Sequence, residues 1–133
     1  MSSGLEQHTD LTHQIIAACY EVHSVLGPGL EERFYRDALC HELKLREISV
    51  QTEREYTVVY KGRVDIVVED KVLIELKAVA GKLQDIHIAQ TVSERQVSGL
   101  PVALLVNFGD TSVQVRRLER RSQETTRKHP LIP

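Results

Sequence analysis

The stretch Arg63–Ala78, reading RVDIVVEDKVLIELKA, constrains this chain more than any other. It is a run of β-branched and aliphatic residues into which Asp65, Glu75 and Lys77 intrude. Charges inside strands that otherwise read as buried are costly unless they are paired or hold a metal. The rest of the sequence can be read around these three residues.

The segment predicts two strands, Arg63–Val68 and Val72–Ala78, joined by the polar turn Glu69-Asp70-Lys71. Side chains alternate faces along a strand, so Asp65 and Val67 share one face, and Leu73, Glu75 and Lys77 share one face of the second strand. A three-residue loop pairs Val68 with Val72 and sets Asp65 opposite Glu75, with Cβ atoms roughly 4.5–5.5 Å apart. Two facing carboxylates repel, and a divalent cation between them removes that penalty. Mg²⁺ suits the chemistry, since it takes one or two carboxylates, keeps several waters and meets substrate phosphate. Lys77, two residues past Glu75, would reach that water or phosphate. A two-residue loop would put Asp65 and Glu75 on opposite faces. From spacing alone, an ion cluster on a solvated strand face accounts for the same residues equally well.

Length and composition bound the answer. A chain of 133 residues makes one domain with a proper core. With 41% hydrophobic and 27% charged residues it reads as a soluble globular protein. A net charge of −2 argues against a strongly basic coater of nucleic acid, and the absence of Trp leaves few stacking platforms for single strands. Basic residues gather late: Arg116 to Lys128 holds six Lys/Arg and two Asp/Glu, which reads as a solvated tail or a phosphate contact. Cys19 and Cys40 fall in apolar helical context and read as buried free thiols, not as a zinc or iron–sulfur site. No apolar run approaches roughly 18 residues, so no membrane span and a cytoplasmic location are expected.

Along the chain, residues 1–9 read as disordered. Asp10 is the expected N-cap of a helix reaching Leu26. Gly27-Pro28-Gly29 breaks it, and a second helix runs Leu30–Arg46 with Leu30, Phe34, Ala38 and Leu45 among its apolar positions. Ser49–Gln51 adds a short extended piece, Glu55–Tyr60 a strand and Lys61-Gly62 a turn signal. After the central strand pair come a helix over Leu83–Val97, a buried strand Val102–Asn107 and a last strand Val113–Leu118. A charged tail follows from Glu119. The order α, α, β, β, β, α, β, β predicts an α/β domain over residues 10–118, its mixed central sheet flanked by helices and closed by one crossover helix.

Other residues carry two readings each. Glu32 on the second helix reads first as a partner of Arg36, four residues on. Tyr35 either orients Glu32 or a phosphate through its hydroxyl, or is a half-buried aromatic. His87 and Gln90 share a helix face, which is either the rim of a site or a polar surface. Asn107, ending its strand, reads as a turn cap. Neither a Walker-type phosphate loop nor a G-x-S-x-G elbow is present.

Four short motifs in order resemble the PD-(D/E)XK nuclease superfamily, and within it the GxxExxY family. Gly29, Glu32 and Tyr35 in GLEERFY carry the naming motif, Asp65 and Glu75-Leu76-Lys77 the nuclease motif, and His87 and Gln90 in HIAQ an HxxQ element. The strand and turn LLVNFGD follow, so the resemblance runs from about Leu11 to Leu118. Two features depart from the family pattern: a short lead from Tyr60 into Asp65, and TVSERQ where an apolar Tyr-containing stretch is usual.

The resemblance implies a restriction-endonuclease-like core. It makes Asp65, Glu75, the Leu76 carbonyl and Glu32 ligands of Mg²⁺ or Mn²⁺, with Lys77 the catalytic cation. Tyr35, His87 and Gln90 then stand at the substrate rim. The expected activity is hydrolysis of phosphodiester bonds in nucleic acid, DNA first. The alternative on the same fold is a non-catalytic module binding nucleic acid or a protein partner. Cutting both strands of a duplex needs two sites, which a homodimer would supply.

Overall fold

The computed structural model describes residues 8–56 and 62–120, and over 53–56 and 62–65 only the backbone. Of the expected disordered residues 1–9, residues 1–7 lie outside the described residues, as does the tail beyond Arg120, whereas His8 and Thr9 are ordered at the start of the first helix. The elements run α1 (Thr9–Leu26), α2 (Glu32–Leu45), β1 (Val50–Tyr56), β2 (Gly62–Val68), β3 (Val72–Lys77), α3 (Asp85–Ser98), β4 (Val102–Asn107) and β5 (Gln114–Glu119). The five strands form one sheet in the order β1-β2-β3-β4-β5. Only β3 and β4 pair in parallel, and α3 supplies the crossover that such a pair requires. This is the mixed α/β architecture expected from the sequence.

The two sheet faces differ in chemistry. Ile66, Val68, Val72, Ile74, Leu76, Val102, Leu104 and Val106 point to one side and join α1 and α2 in the main core. Val67, Leu73 and Ala103 point to the other, where Leu100, just after α3, closes a smaller cluster. Both faces of β3 and β4 are therefore covered, and every residue from Val72 to Leu76 and from Val102 to Asn107 is buried.

Helix α1 presents Ile15, Ala18, Cys19 and Val22 to the core at i, i+3, i+4 and i+7. It starts one residue before Asp10. His8, at φ 57°, holds the N-cap position, and Asp10 lies in the first turn, where its charge favours the helix dipole.

Helix α2 docks through a stripe beyond the apolar positions noted in the sequence, of which Ala38 alone packs against the core. Tyr35, Leu39 and Leu43 are fully buried, whereas Phe34 is 44% and Leu45 65% exposed, and Leu30 precedes the helix. A wholly buried Tyr needs partners for its hydroxyl. Tyr35 donates to the Gly27 carbonyl at 2.6 Å and accepts from the Leu30 N–H at 3.1 Å. Its ring stacks on Phe108 with centroids 4.9 Å apart. Strand β1 begins at Val50 and takes in Val50 and Gln51 of the short extended piece; of the expected strand over Glu55–Tyr60, Glu55 and Tyr56 belong to β1 and residues 57–60 lie outside the described residues.

Two predictions follow from this packing. Tyr35→Phe strands the Gly27 carbonyl and the Leu30 amide, at a cost of roughly 1–3 kcal/mol in urea unfolding; an unchanged midpoint would show that those bonds contribute nothing. Burial pushes the Cys19 thiol from its ordinary 9.0 up to about 12, so the unfolded chain ionises it first. Stability from this group is full below pH 9 and is lost as pH rises from there towards 12. Unfolding midpoints measured across that range should fall further for wild type than for Cys19→Ala. Equal slopes would contradict the assignment.

Candidate active site

The geometry starts at the turn between β2 and β3. Lys71 N–H donates to the Val68 carbonyl at 2.9 Å, closing a tight turn. Glu69 and Asp70 lie within it at φ 52° and 57°. Positive φ at both central residues marks a mirror-image turn, which suits the right-handed twist of paired strands. Lys71 is the extra residue before pairing begins, so Val68 faces Val72, Val67 faces Leu73 and Ile66 faces Ile74. This is the three-residue register that the chemistry requires. The observed pairs end at Ile66 and Ile74; one more residue in the same register would set Asp65 across from Glu75. Asp65 lies in β2 by its backbone, and its side chain falls outside the described residues.

Glu75 and Lys77 share the face of β3 that carries Leu73, the side on which α3 lies. Glu75 is only 7% exposed, between the fully apolar Ile74 and Leu76. Lys77 is half-buried at the end of the strand. The next cross-strand neighbours of Lys77 are Asn107 on β4 and Gln114 on β5, and those of Glu75 are Leu105 and Arg116.

The far end of β3 is fixed by the residues after β4. Phe108 N–H donates to the Lys77 carbonyl at 2.9 Å. A Cβ on Gly109 would lie 2.4 Å from the Val79 nitrogen and 2.5 Å from the Ala78 carbonyl carbon, so only glycine lets the two backbones pass. Asn107, fully buried, binds the chain beyond Lys77 through its side chain, accepting from Val79 N–H at 3.0 Å and donating to the Val79 carbonyl at 3.0 Å.

Glu32 is the first residue of α2 and is exposed. It makes no ion pair among the described residues; the expected partner Arg36 does not reach it, and Arg33 pairs with Glu31 at 3.5 Å. Tyr35, one turn on, stacks on Phe108 and so anchors the start of α2 near the end of the sheet that carries Lys77. Tyr35 itself is in the core, not at a rim, and both functions of its hydroxyl are spent on the Gly27–Leu30 loop. His87 is half-buried and accepts the Gln84 N–H on Nδ1 at 3.1 Å, which leaves the proton of a neutral ring on Nε2. Gln90, one turn further, is exposed.

The donor chemistry suits a hard divalent cation. Glu75 is a buried carboxylate on a strand otherwise apolar up to Lys77, and Glu94 of α3 has a buried Oε2 with no hydrogen-bond partner. Among the described residues, no three His, Cys, Asp or Glu side chains gather as a metal cluster. The carboxylate pair expected from the sequence includes Asp65, whose side chain is not described. The sequence gives no sign of Glu94, and it reads Asn107 as a turn cap, which its bond to Gly109 N–H bears out, without its longer-range partners. A polar residue at the inward end of VALLVN, followed by Gly109, was the available signal for Asn107.

Comparison with known proteins adds the family. No curated protein matches the chain. Among solved structures, an alkaline exonuclease from Laribacter hongkongensis is similar at 15% identity and a TM-score of 0.47, with 84% of each chain covered. The protein SSO0001 is similar at 19% identity and a TM-score of 0.49, over 92% of this chain and 64% of that one. The family model described as PD-(D/E)XK nuclease superfamily matches residues 9–118, which take in every described helix and all but the last residue of the sheet. The chain belongs to the PD-(D/E)XK nuclease superfamily.

Proposed function

We propose that this protein is a metal-dependent nuclease of the GxxExxY branch, hydrolysing phosphodiester bonds in nucleic acid, with DNA as its substrate. The observation that carries the reading is the buried Glu75 carboxylate, on the same face of β3 as the half-buried Lys77, next to a β2–β3 turn of three-residue register. A carboxylate held 93% out of solvent among Val, Ile and Leu is tolerated where it is paired or holds a metal, and a metal is the compensation that this family's chemistry favours.

In this reading Asp65 and Glu75 hold Mg²⁺ or Mn²⁺, with the Leu76 carbonyl beside them and Glu32 joining directly or through water. When bound, such an ion lowers the pKa of water and offsets charge on the phosphate. Lys77 supplies a fixed ammonium where negative charge grows on the phosphoryl oxygens as the pentavalent transition state forms. In this reading Lys77 acts electrostatically, as a cation, and not as general base. Half-burial limits the access of bulk water to Lys77, which strengthens its electrostatic effect. His87, with Nε2–H available, and Gln90 supply donors to a non-scissile phosphate oxygen. Tyr35 takes no direct part; it supports Glu32 by fixing the entry to α2.

The test is cleavage of single- and double-stranded DNA with Mg²⁺ or Mn²⁺. Wild type should cut, and Asp65→Asn, Glu75→Gln and Lys77→Met should each lose roughly a hundredfold or more in rate while keeping their circular dichroism spectra. A folded wild type inert on both DNA and RNA with either metal would overturn the reading.

A further inference from the structure

We infer that Asn107 and Gln114 are positioning residues, a two-side-chain clamp that sets the first turn of α3, with His87, against Lys77. The functional half of this inference rests on the nuclease reading above; the structural half does not.

The three residues form one row on one face of the sheet, Lys77 beside Asn107 and Asn107 beside Gln114. Beyond Lys77 the chain must cross from the end of β3 to the start of α3, over residues 78–84, with no regular structure of its own. The row supplies what that connection lacks. Asn107 Oδ1 accepts Val79 N–H and Gly109 N–H, each at 3.0 Å. Asn107 Nδ2 donates to the carbonyls of Val79 at 3.0 Å and Gly81 at 3.1 Å, and more weakly to Gln114 Oε1 at 3.3 Å. Gln114 Oε1 accepts Leu83 N–H at 3.0 Å, and its Nε2 donates to Asp110 Oδ2 at 3.0 Å. The next amide, Gln84 N–H, is already on His87 Nδ1. From Val79 to His87 the main chain is thus tied down in succession by Asn107, Gln114 and the imidazole itself.

A turn cap needs one or two of these bonds. This carboxamide uses both its oxygen and its nitrogen on residues 26 to 28 positions away in sequence, in a fully buried site. Buried polar networks that are fully satisfied specify one arrangement, because every alternative strands a donor or acceptor in a low dielectric. The arrangement specified here is the separation between the Lys77 ammonium and the imidazole of His87, the two donors proposed to meet one phosphate group and its neighbour. Misplacing such groups by about 1 Å can cost a hundredfold in rate.

Gln114 is the better probe, since it lies half-buried on the edge strand while Asn107 is in the core. Gln114→Ala removes the acceptor for Leu83 N–H. Gln114→Glu combined with Asp110→Asn restores it and exchanges donor and acceptor between the two side chains. In Gln114→Ala, exchange of the Leu83 amide should accelerate roughly tenfold or more as its hydrogen bond is lost. The imidazole nitrogen shifts of His87 should move away from a pure Nε2–H form. On DNA with Mg²⁺, kcat should fall roughly ten- to a hundredfold with KM little changed, as for a group aligned in the transition state. The double variant should return all three readings towards wild type.

If the Leu83 amide is freed while His87 and kcat stay as in wild type, the clamp is local packing and the inference is overturned. If wild type cuts neither DNA nor RNA, the nuclease reading fails by itself. The imidazole shifts then decide the structural half, which is upheld by a change in Gln114→Ala and overturned by none.

Discussion

The pairing of Val68 with Val72 decides the face taken by every side chain of β2 and β3. Strand side chains alternate with a period of two, so a slip of one residue would turn the apolar set outward and the ionic set into the core. The turn that enforces the register places two ordinary residues, Glu69 and Asp70, in the left-handed region. That conformation costs on the order of 1 kcal/mol per residue. The cost is met because Val68, Val72, Ile66 and Ile74 are then all buried under α1 and α2.

A second consequence is the division of labour between the faces. The side towards α1 and α2 is uniformly aliphatic and carries the main core. The side towards α3 carries a smaller apolar cluster, the row of Val67, Leu73, Ala103 and Leu118, with Leu105 buried in the row beyond it. Polar residues enter in the next rows: Glu75 and Arg116 on either side of Leu105, then Lys77 with Asn107 and Gln114. The sheet therefore changes from scaffold to chemistry within two rows of one face. Phe108 ties the two sides together, since its amide holds the end of β3 while its ring supports Tyr35 and hence the start of α2.

Much of this was readable from the residues. The order of elements, the strand Val102–Asn107 and the three-residue turn follow from β-branched runs and turn signals, which act locally. The docking face of α2 was less readable because two stripes compete: Leu30, Phe34, Ala38 and Leu45 against Tyr35, Leu39 and Leu43. Hydrophobicity alone favours the first. The second is buried because Gly27 and Leu30 satisfy the Tyr35 hydroxyl, a contact between loop and helix that periodicity does not encode. Asn107 does cap its turn by accepting Gly109 N–H, but its further partners were unreadable for a similar reason, as they lie on the chain after a different strand. Within the candidate site, the sequence motif named Glu75 and Lys77 and spacing put them on one face, while their burial and the network beyond Lys77 emerged only from the fold.

The account stands on Asp65 and Glu75 sharing one divalent ion. Anomalous diffraction from crystals soaked in Mn²⁺ tests this directly. The account predicts a single strong peak about 2 Å from a carboxylate oxygen of each residue, with the Lys77 ammonium turned towards the same volume. A map with no peak between them, or with their carboxylates on opposite faces of the sheet, would contradict it.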